Sequence, residues 1–462
     1  MLLAVMLSTG LVAIDTTILA TAVPNIVDDL GGFTQFPWLF SVYLLTTAVT
    51  TPLYGKLADV LGRKPVMLLG IALFVGGSVL CGFAGSMTGL IVSRAIQGLG
   101  AGAVQPMGLT IVGDLYTLEE RAKVQGYSAS VWAIASLIGP TLGGVFSDYV
   151  GWRWIFFVNV PIGMLAVLIL LRRFDEQVER HPTRVDWAGA VLLTGGGILL
   201  LLGLLEGGQR WAWDSIVGVG IFVVATVLLL GFVLAERSAH EPVLPLWVFR
   251  RRVLNAANGG SLLVGCVMLG LSSYVPLYAQ HVLGHSALVA GLALAGMTIG
   301  WPIAASLVGR LYLGVGFKAT VVLGASVTVT GNLLLLTVGP HATFWHLTAA
   351  CFVVGFGLGL VAAPSMVAAQ ASVDWRTRGV ATGANMFARS VGSAVGVAVF
   401  GAVANGEVAR RLGGSLPPLE QLPAEVISPA LHTVFVIGTA VSAALLITGS
   451  LMPRRVRPVD GA

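Results

Sequence analysis

The stretch Gly55-Lys56-Leu57-Ala58-Asp59-Val60-Leu61-Gly62-Arg63-Lys64-Pro65 is a short charged link between two long apolar runs, and it decides how the chain is read. Asp59 and Arg63 are four residues apart, a spacing at which they can pair along one helical turn. Gly55 and Gly62 permit a close approach and a sharp turn. Each flanking run is about 20 residues long, which is enough for a helix to cross a membrane.

The composition places the chain in a bilayer. Hydrophobic residues make up 56% of it and charged residues only 10%, with a mean hydropathy of +0.90, whereas soluble domains carry about 25% charged residues. The apolar runs are continuous over about 20 residues, which predicts helices instead of the alternating strands of a membrane barrel. The three cysteines have neither disulfide nor metal spacing. We therefore expect no metal and no cofactor, and the dispersed basic residues predict no nucleic-acid partner.

Fourteen membrane spans are predicted when each is given about 20 apolar residues, at 2–24, 36–55, 66–85, 88–112, 125–147, 154–171, 187–206, 215–235, 255–279, 287–308, 319–338, 346–370, 380–403 and 431–452. With this count, 20 of the 26 Lys and Arg residues fall on the side of both termini. Basic residues favour the cytoplasmic side, so both termini are predicted to be cytoplasmic in a plasma membrane. The segment from about Asn405 to Pro429 is rich in Gly and Pro and is predicted to be a surface loop.

Asp15 is the only acidic residue deep in a predicted span. A charge at mid-bilayer costs about 2.5–3.5 kcal/mol, so Asp15 needs a partner or is protonated part of the time. At about 1.5 Å of rise per residue, Arg94 in the fourth span lies within about 6 Å of the same height. Burial favours a neutral carboxyl group and a nearby Arg favours the charged one, so a change in their separation would bind or release a proton. The alternatives are a buried Asp that caps a helix or bonds neighbouring hydroxyls, and a static ion pair.

Gln97, one helical turn from Arg94, is predicted to orient this pair or to line a cavity. Asp114, near the inner end of the fourth span, and Glu206 are secondary candidates for proton or cation contact. Nothing in the chain resembles a nucleotide-binding loop, so we expect the energy source to be an ion gradient.

Several stretches resemble motifs of one transporter family. The opening stretch resembles the loop between spans 2 and 3 of the major facilitator superfamily. Further similarity to that superfamily, and to its fourteen-span drug:proton antiporters, lies in Ile14–Pro24 (with Ala20 where the family has Asn), Leu90–Ala103, Ala135–Gly144 (with Ala135 where the family has Gly), Trp152–Gly163 and Thr382–Gly396.

The resemblance implies an all-α integral membrane fold of two six-helix half-bundles with two additional central spans. The predicted units are 1–175 for the first half, 176–252 for the two central spans with their linkers, and 253–462 for the second half. It also implies a gating loop, formed by Gly55, Asp59, Gly62, Arg63 and Lys64, that clamps the cytoplasmic ends of the halves together. An ordinary basic loop is the alternative.

The direction of transport is inferred from the fifth span. Gly139, Pro140, Gly143 and Gly144 match an antiporter motif that the superfamily's exporters carry and its importers generally lack. Proline bends a helix, and small residues make a close-packed, distortable interface. The alternative is a simple kinked packing helix.

Possible cavity residues in the second half are Asn258, Asn385 and Arg389, the last being a charged wall or a pinned structural group. No carboxylate lies deep in any second-half span, which favours proton handling in the first half. The resemblance therefore predicts a monomeric, proton-coupled exporter of hydrophobic or cationic small molecules. Alternatives are a dedicated exporter of one natural product or lipid, a proton-coupled importer and a non-transporting receptor. An enzyme is not expected, because the spans hold no His or carboxylate cluster.

Overall fold

The computed structural model describes residues 1–31, 35–36, 38–174, 176, 186–208, 210–239, 242–285, 287–412 and 424–456. All regular segments in these ranges are helical. The α-helices are α1 Leu2–Leu30, α2 Trp38–Leu61, α3 Arg63–Gly82, α4 Met87–Leu115, α5 Leu118–Val145, α6 Trp154–Phe157, α7 Asn159–Arg173, α8 Trp187–Glu206, α9 Ile216–Ser238, α10 Arg252–His281, α11 Ala287–Gly314, α12 Phe317–Leu336, α13 Phe344–Ala371, α14 Arg378–Arg411 and α15 Ala424–Leu451.

Twelve helical segments within the described ranges are long and apolar enough to cross a membrane, with α6 and α7 counted as one. The prediction of an all-helical, multi-pass membrane protein is therefore confirmed. The predicted count of fourteen spans exceeds these twelve. The two long helices that do not reach the required apolarity are α2 and α4, of 24 and 29 residues. Both carry several of the polar and charged side chains described below.

The prediction of a surface loop from Asn405 to Pro429 is wrong at both ends of that segment. Helix α14 continues to Arg411 and α15 already begins at Ala424, while residues 413–423 lie outside the described part of the chain. The last turn of α14 is stabilised from within, because Glu407 pairs with two arginines three and four residues further on. Such pairs stabilise a helix end.

Helices α1–α7 form one group and helices α10–α15 a second, and the two groups meet along a seam in which α2 packs on α14 and α5 on α11. Helix α8, which pairs with α9, packs on α2 and α14. Glycines bring the backbones together: a Cβ atom at Gly55 would lie 2.6 Å from the carbonyl oxygen of Gly379. On the same side, the Tyr312 hydroxyl donates to the carbonyl oxygen of Leu118 at 3.2 Å. We call this side, where α2 ends and α3 begins, the Asp59 end of the bundle. There the two groups are in direct contact.

Candidate functional site

A buried ion pair joins α1 to α4. Arg94 Nη1 lies 2.6 Å from Asp15 Oδ2, and both side chains are 1% exposed. Arg94 Nε also donates to the carbonyl oxygen of Leu39 on α2, and its guanidinium carbon lies 4.2 Å from the ring centroid of Tyr43. The cation is therefore held by a carboxylate, a carbonyl and an aromatic face, which together offset its removal from water.

Three neutral polar side chains complete this network. Gln97 Nε2 donates to Asp15 Oδ1 at 2.7 Å and to Ser78 Oγ at 2.6 Å, while its Oε1 accepts from Arg94 at 2.6 Å. Asn159 Nδ2 donates to the same two oxygens, of Asp15 and Ser78, at 3.1 Å each. The ion pair is thus fixed from α1, α3, α4 and α7. We call these five residues, Asp15, Ser78, Arg94, Gln97 and Asn159, the Asp15 network.

The structure brings Asp15, Arg94 and Gln97 together, and it adds Ser78 and Asn159, which the sequence reasoning missed. Asn159 had been visible as a polar residue inside an apolar run, two residues before Pro161. Its Oδ1 atom and the Tyr43 hydroxyl are buried without a hydrogen-bond partner among the described residues. Buried polar atoms without a partner are rare in folded proteins.

Helix α5 packs on α1 immediately beside Asp15. The Thr17 hydroxyl donates to the carbonyl oxygen of Ala135 at 3.0 Å, and a Cβ atom at Gly139 would lie 2.0 Å from that hydroxyl oxygen. A Cβ atom at Gly143 would lie 2.6 Å from the carbonyl oxygen of Ile18. The small residues of the predicted motif therefore set the distance between α5 and the helix that carries Asp15.

Gly144, also in the predicted motif, takes no part in this packing. A Cβ atom at Gly144 would meet no atom within 4 Å. The side chain of Pro140 lies outside the described part of the chain.

A second polar cluster lies at the Asp59 end and joins the two groups of helices. The Asp59 carboxylate accepts hydrogen bonds from the backbone N–H groups of Gly379 at 3.0 Å and Val380 at 2.8 Å. These are in the first turn of α14, whose own N-cap, Thr377, makes no side-chain capping bond. Asp59 on α2 therefore caps α14 from across the seam, where a carboxylate also interacts favourably with the helix dipole.

Arg63 pairs with Asp59 at 3.0 Å, but not along one helical turn as the sequence suggested. Helix α2 ends at Leu61, and Gly62 has a φ angle of +101°, so Arg63 begins the next helix. Only glycine adopts such a backbone angle without strain. The pair therefore bridges a turn.

Asp114, the last acidic residue of α4, connects this turn to the second half. Its two carboxylate oxygens lie 2.9 Å from Arg63 Nε and 2.7 Å from Arg378 Nη1. The Arg63 guanidinium also stacks 4.1 Å from the ring centroid of Trp375. Asp114 is thus an ion-pair bridge between two arginines, one in each group of helices. We call Asp59, Arg63, Asp114 and Arg378 the Asp59 cluster.

Lys64 ties the first turn of α3 to the chain after α7. Its Nζ donates to the carbonyl oxygen of Phe174 at 2.5 Å, and its backbone N–H donates to Glu176 Oε2 at 2.7 Å. The backbone N–H of Arg63 donates to the other oxygen of the same carboxylate at 2.7 Å. A carboxylate at a helix N-terminus satisfies amides that have no partner inside the helix.

In the second half, a hydrogen-bonded group joins α10 and α14. The Ser261 hydroxyl donates to Asn385 Oδ1 at 2.8 Å, and Asn385 Nδ2 donates to Asn258 Oδ1 at 3.3 Å. Arg389, one turn further along α14, takes no part in this group. The structure therefore brings two of the three predicted cavity residues into contact and leaves the third apart.

Apolar helices that enclose buried ion pairs, with the two groups of helices clasped at one end by charged residues, define a membrane transporter of the secondary type. The chain belongs to the Major Facilitator Superfamily, whose family model matches residues 5–397.

Named relatives agree with this family. The chain is 36% identical over 441 residues to the multidrug transporter protein MdtP of Bacillus subtilis (strain 168), covering 94% of this chain and 82% of that protein. It is 37% identical over 391 residues to multidrug resistance protein 3 of the same organism, covering 85% and 76%. It is 33% identical over 407 residues to the efflux pump dotC of Dothistroma septosporum (strain NZE10 / CBS 128990), covering 86% and 70%.

A solved structure is similar in fold. The human organic anion transporter MFSD10 (TETRAN) superposes with a TM-score of 0.67 at 15% sequence identity, over 96% of this chain and 98% of that one. At this identity the likeness concerns the fold alone.

Proposed function

We propose that this chain is a proton-coupled exporter of hydrophobic small molecules that works by alternating access. The observation that carries the proposal is the Asp15 network, a buried carboxylate whose counter-charge comes from a different helix. Three of its relatives bear the names of a multidrug transporter, a multidrug resistance protein and an efflux pump, which supports export as the direction.

In this mechanism a proton binds the Asp15 carboxylate and removes its charge. Arg94 then loses its ion-pair partner, although Gln97 remains within hydrogen-bonding distance of both. The interaction between α1 and α4 becomes weaker, because a charge-assisted hydrogen bond is replaced by a neutral one. Release of the proton restores the pair. The two protonation states therefore favour two arrangements of α1 and α4, which is what coupling to a proton gradient needs.

The proposed topology has fourteen spans, with α2 and α4 crossing the membrane in addition to the twelve apolar segments. Both termini are cytoplasmic in the plasma membrane, and the units are the two half-bundles 1–175 and 253–462 with the central pair in 176–252. The Asp59 end is then cytoplasmic, and the Asp59 cluster is the gate that holds this end shut while the opposite end is open. The working unit is a monomer.

The test is flux in proteoliposomes under an imposed pH gradient. A panel of lipophilic dyes of different charge is loaded, and dye efflux and proton flux are recorded together for the native chain and for Asp15→Asn. A matched control is Asp214→Asn, which makes the same change at an exposed position between α8 and α9. We expect the gradient to drive efflux in the native chain and the control, and Asp15→Asn to abolish the proton dependence. Equal gradient-driven efflux in all three proteins would refute Asp15 as the coupling group.

A dedicated exporter of one natural product or lipid is the alternative within the same class. The dye panel separates the two: competition among chemically unrelated compounds supports broad export, and transport of none of them supports a dedicated substrate. Gradient-driven uptake in place of efflux would support an importer.

A further inference from the structure

Arg389 lies in the middle of α14, and its charge has no counter-charge. Its Nε atom is buried and has no hydrogen-bond partner. Within the described part of the chain, no hydrogen bond or ion pair is made by any atom of its guanidinium group. Arg94, the other arginine deep in a span, has a carboxylate, an amide oxygen, a carbonyl and an aromatic ring around it. The two arginines therefore differ in their partners and also in burial, since Arg94 is 1% exposed whereas Arg389 is partly exposed.

No carboxylate among the described residues forms an ion pair with Arg389. Between residues 252 and 411 the sequence has only Asp374 and Glu407. Asp374 precedes the first residue of α14, and Glu407 is 18 residues further along the same helix, which is about 27 Å at 1.5 Å per residue. Glu407 is also paired with two arginines of its own. In the first half, Asp15 is held by its own network. A guanidinium nitrogen that is buried without a partner is unfavourable, so an anion bound from outside the chain would stabilise Arg389.

The environment of Arg389 is accessible and amphipathic. Residues 378–385 of α14 are all buried, whereas residues 386–391 are all partly exposed, so the helix surface becomes accessible at this height. Asn385, one turn before Arg389, provides a polar neighbour together with Asn258 and Ser261. Phe387 and Val391 supply apolar surface, and Val391 packs against the apolar cluster that joins α2, α8 and α14. A ligand here would meet a cation with apolar walls on one side.

We propose that Arg389 binds an anionic group of the transported molecule, so that this carrier exports amphipathic organic anions, carboxylates above all, with an apolar body. The inference rests on the proposed export function and narrows its substrate class. It departs from the hydrophobic or cationic substrates that the sequence led us to expect, because an unpaired guanidinium group at the binding site would repel cations. Arg is suited to the role, since its planar group accepts a carboxylate through two hydrogen bonds.

The experiment compares two probes that differ only in charge, 2-naphthylacetate and 2-naphthylacetamide. Equilibrium binding is measured to the full chain in nanodiscs of phosphatidylcholine, which has no net charge, so that transport and proton coupling are not required. The variants are Arg389→Met and Arg389→Lys, with Arg310→Met as the control, because Arg310 is an exposed arginine on α11.

We expect the native chain and Arg310→Met to bind the acetate at least about tenfold more tightly than the amide, a ratio typical of one charge-assisted contact. Arg389→Met should lose this preference while binding the amide unchanged, which also shows that it is folded. Arg389→Lys should keep part of the preference. If Arg389→Met does not fold, the preference for the acetate is compared between the native chain and Arg389→Lys.

Three results would overturn the inference. One is equal binding of the two probes by the native chain, and another is a preference for the acetate that survives in Arg389→Met. The third is loss of acetate binding when phosphatidylglycerol is added to the nanodisc, which would assign the site to a lipid headgroup. None of these results depends on whether Asp15→Asn uncouples transport. The binding experiment therefore tests the proposed substrate class independently of the proposed proton coupling.

Discussion

Replacement of Asp59 by Asn should weaken the closed arrangement of the Asp59 end. The Asp59 carboxylate accepts two backbone N–H groups of α14 and pairs with Arg63. Asn has one acceptor oxygen, so one of the two backbone bonds is lost, and the remaining contacts lose their charge. Because Asp59 is the only side-chain cap of the α14 N-terminus in the described residues, nothing else replaces the lost bond.

The size of the effect follows from these contacts. A hydrogen bond to a charged group contributes about 1.5–3 kcal/mol, and a carboxylate at a helix N-terminus adds about 0.3–1 kcal/mol. Part of this is offset in the native chain, since the Asp59 side chain is only 4% exposed and its burial is unfavourable. We therefore expect a net loss of about 2 kcal/mol, which changes the ratio of closed to open molecules about 30-fold.

The assay is a distance distribution between spin labels at positions 172 and 318. Arg172 in the last turn of α7 and Lys318 in the first turn of α12 are both exposed at the Asp59 end, one on each side of the seam. The three native cysteines are replaced first; all three are buried and free. Asp59→Asn should add a population at longer distance, and Asp374→Asn, the same change at an exposed carboxylate, should not.

The reasoning would be refuted by a closed-to-open ratio that changes less than about threefold in Asp59→Asn, a change of only about 0.6 kcal/mol. It would also be refuted by an equal change in Asp374→Asn. Either result would mean that the contacts of Asp59 are replaced by equivalent ones when its charge is removed.

Three more outcomes follow from single contacts and are measured as free energies of unfolding in detergent. Arg94→Met should lower the free energy of unfolding by about 3–5 kcal/mol, because the buried Asp15 carboxyl group loses its counter-charge. Asp15→Asn in the same chain should recover part of this loss, and additive losses would contradict the pairing. Gly143→Ala should lower the free energy of unfolding by about 1–3 kcal/mol, because the added methyl group overpacks the contact of α5 with α1. Gly144→Ala should leave the stability unchanged, because a Cβ atom there meets open space. Equal effects of the two substitutions would contradict this packing. Asn159→Ala should cost about 1–3 kcal/mol, because a donor shared by two buried oxygens is lost; an unchanged stability would contradict a structural role.

The ion pair of Asp15 and Arg94 could be predicted because it depends on quantities that the sequence contains. A charge in an apolar run must have a partner, and the fixed rise of a helix gives the height of each residue in the bilayer. The apolar runs likewise predicted the helices themselves. Helix α14 proved longer than its apolar run, because its last turn is held by the pairs of Glu407, and hydropathy does not register such pairs.

The partners that were missed depend on packing. Ser78 and Asn159 are neutral, and neutral polar residues occur in spans without needing a partner of opposite charge. Asp114 meets Arg378 across 264 positions of sequence. That contact exists only because α4 and α14 are brought together at the seam, and no local pattern indicates it.

The Asp15 network and the Asp59 cluster are joined by one helix. Arg94 and Asp114 both lie on α4, 20 residues and therefore about 30 Å apart. Helix α4 packs closely on α2, because a Cβ atom at Gly98 would lie 2.7 Å from the carbonyl oxygen of Tyr43. In the proposed mechanism, a change of charge at Asp15 would therefore act on the unit formed by α2 and α4. The same unit carries Asp59 and Asp114 at its other end, where they hold α14. We therefore propose that proton binding at Asp15 and closure of the Asp59 end are coupled through these packed helices.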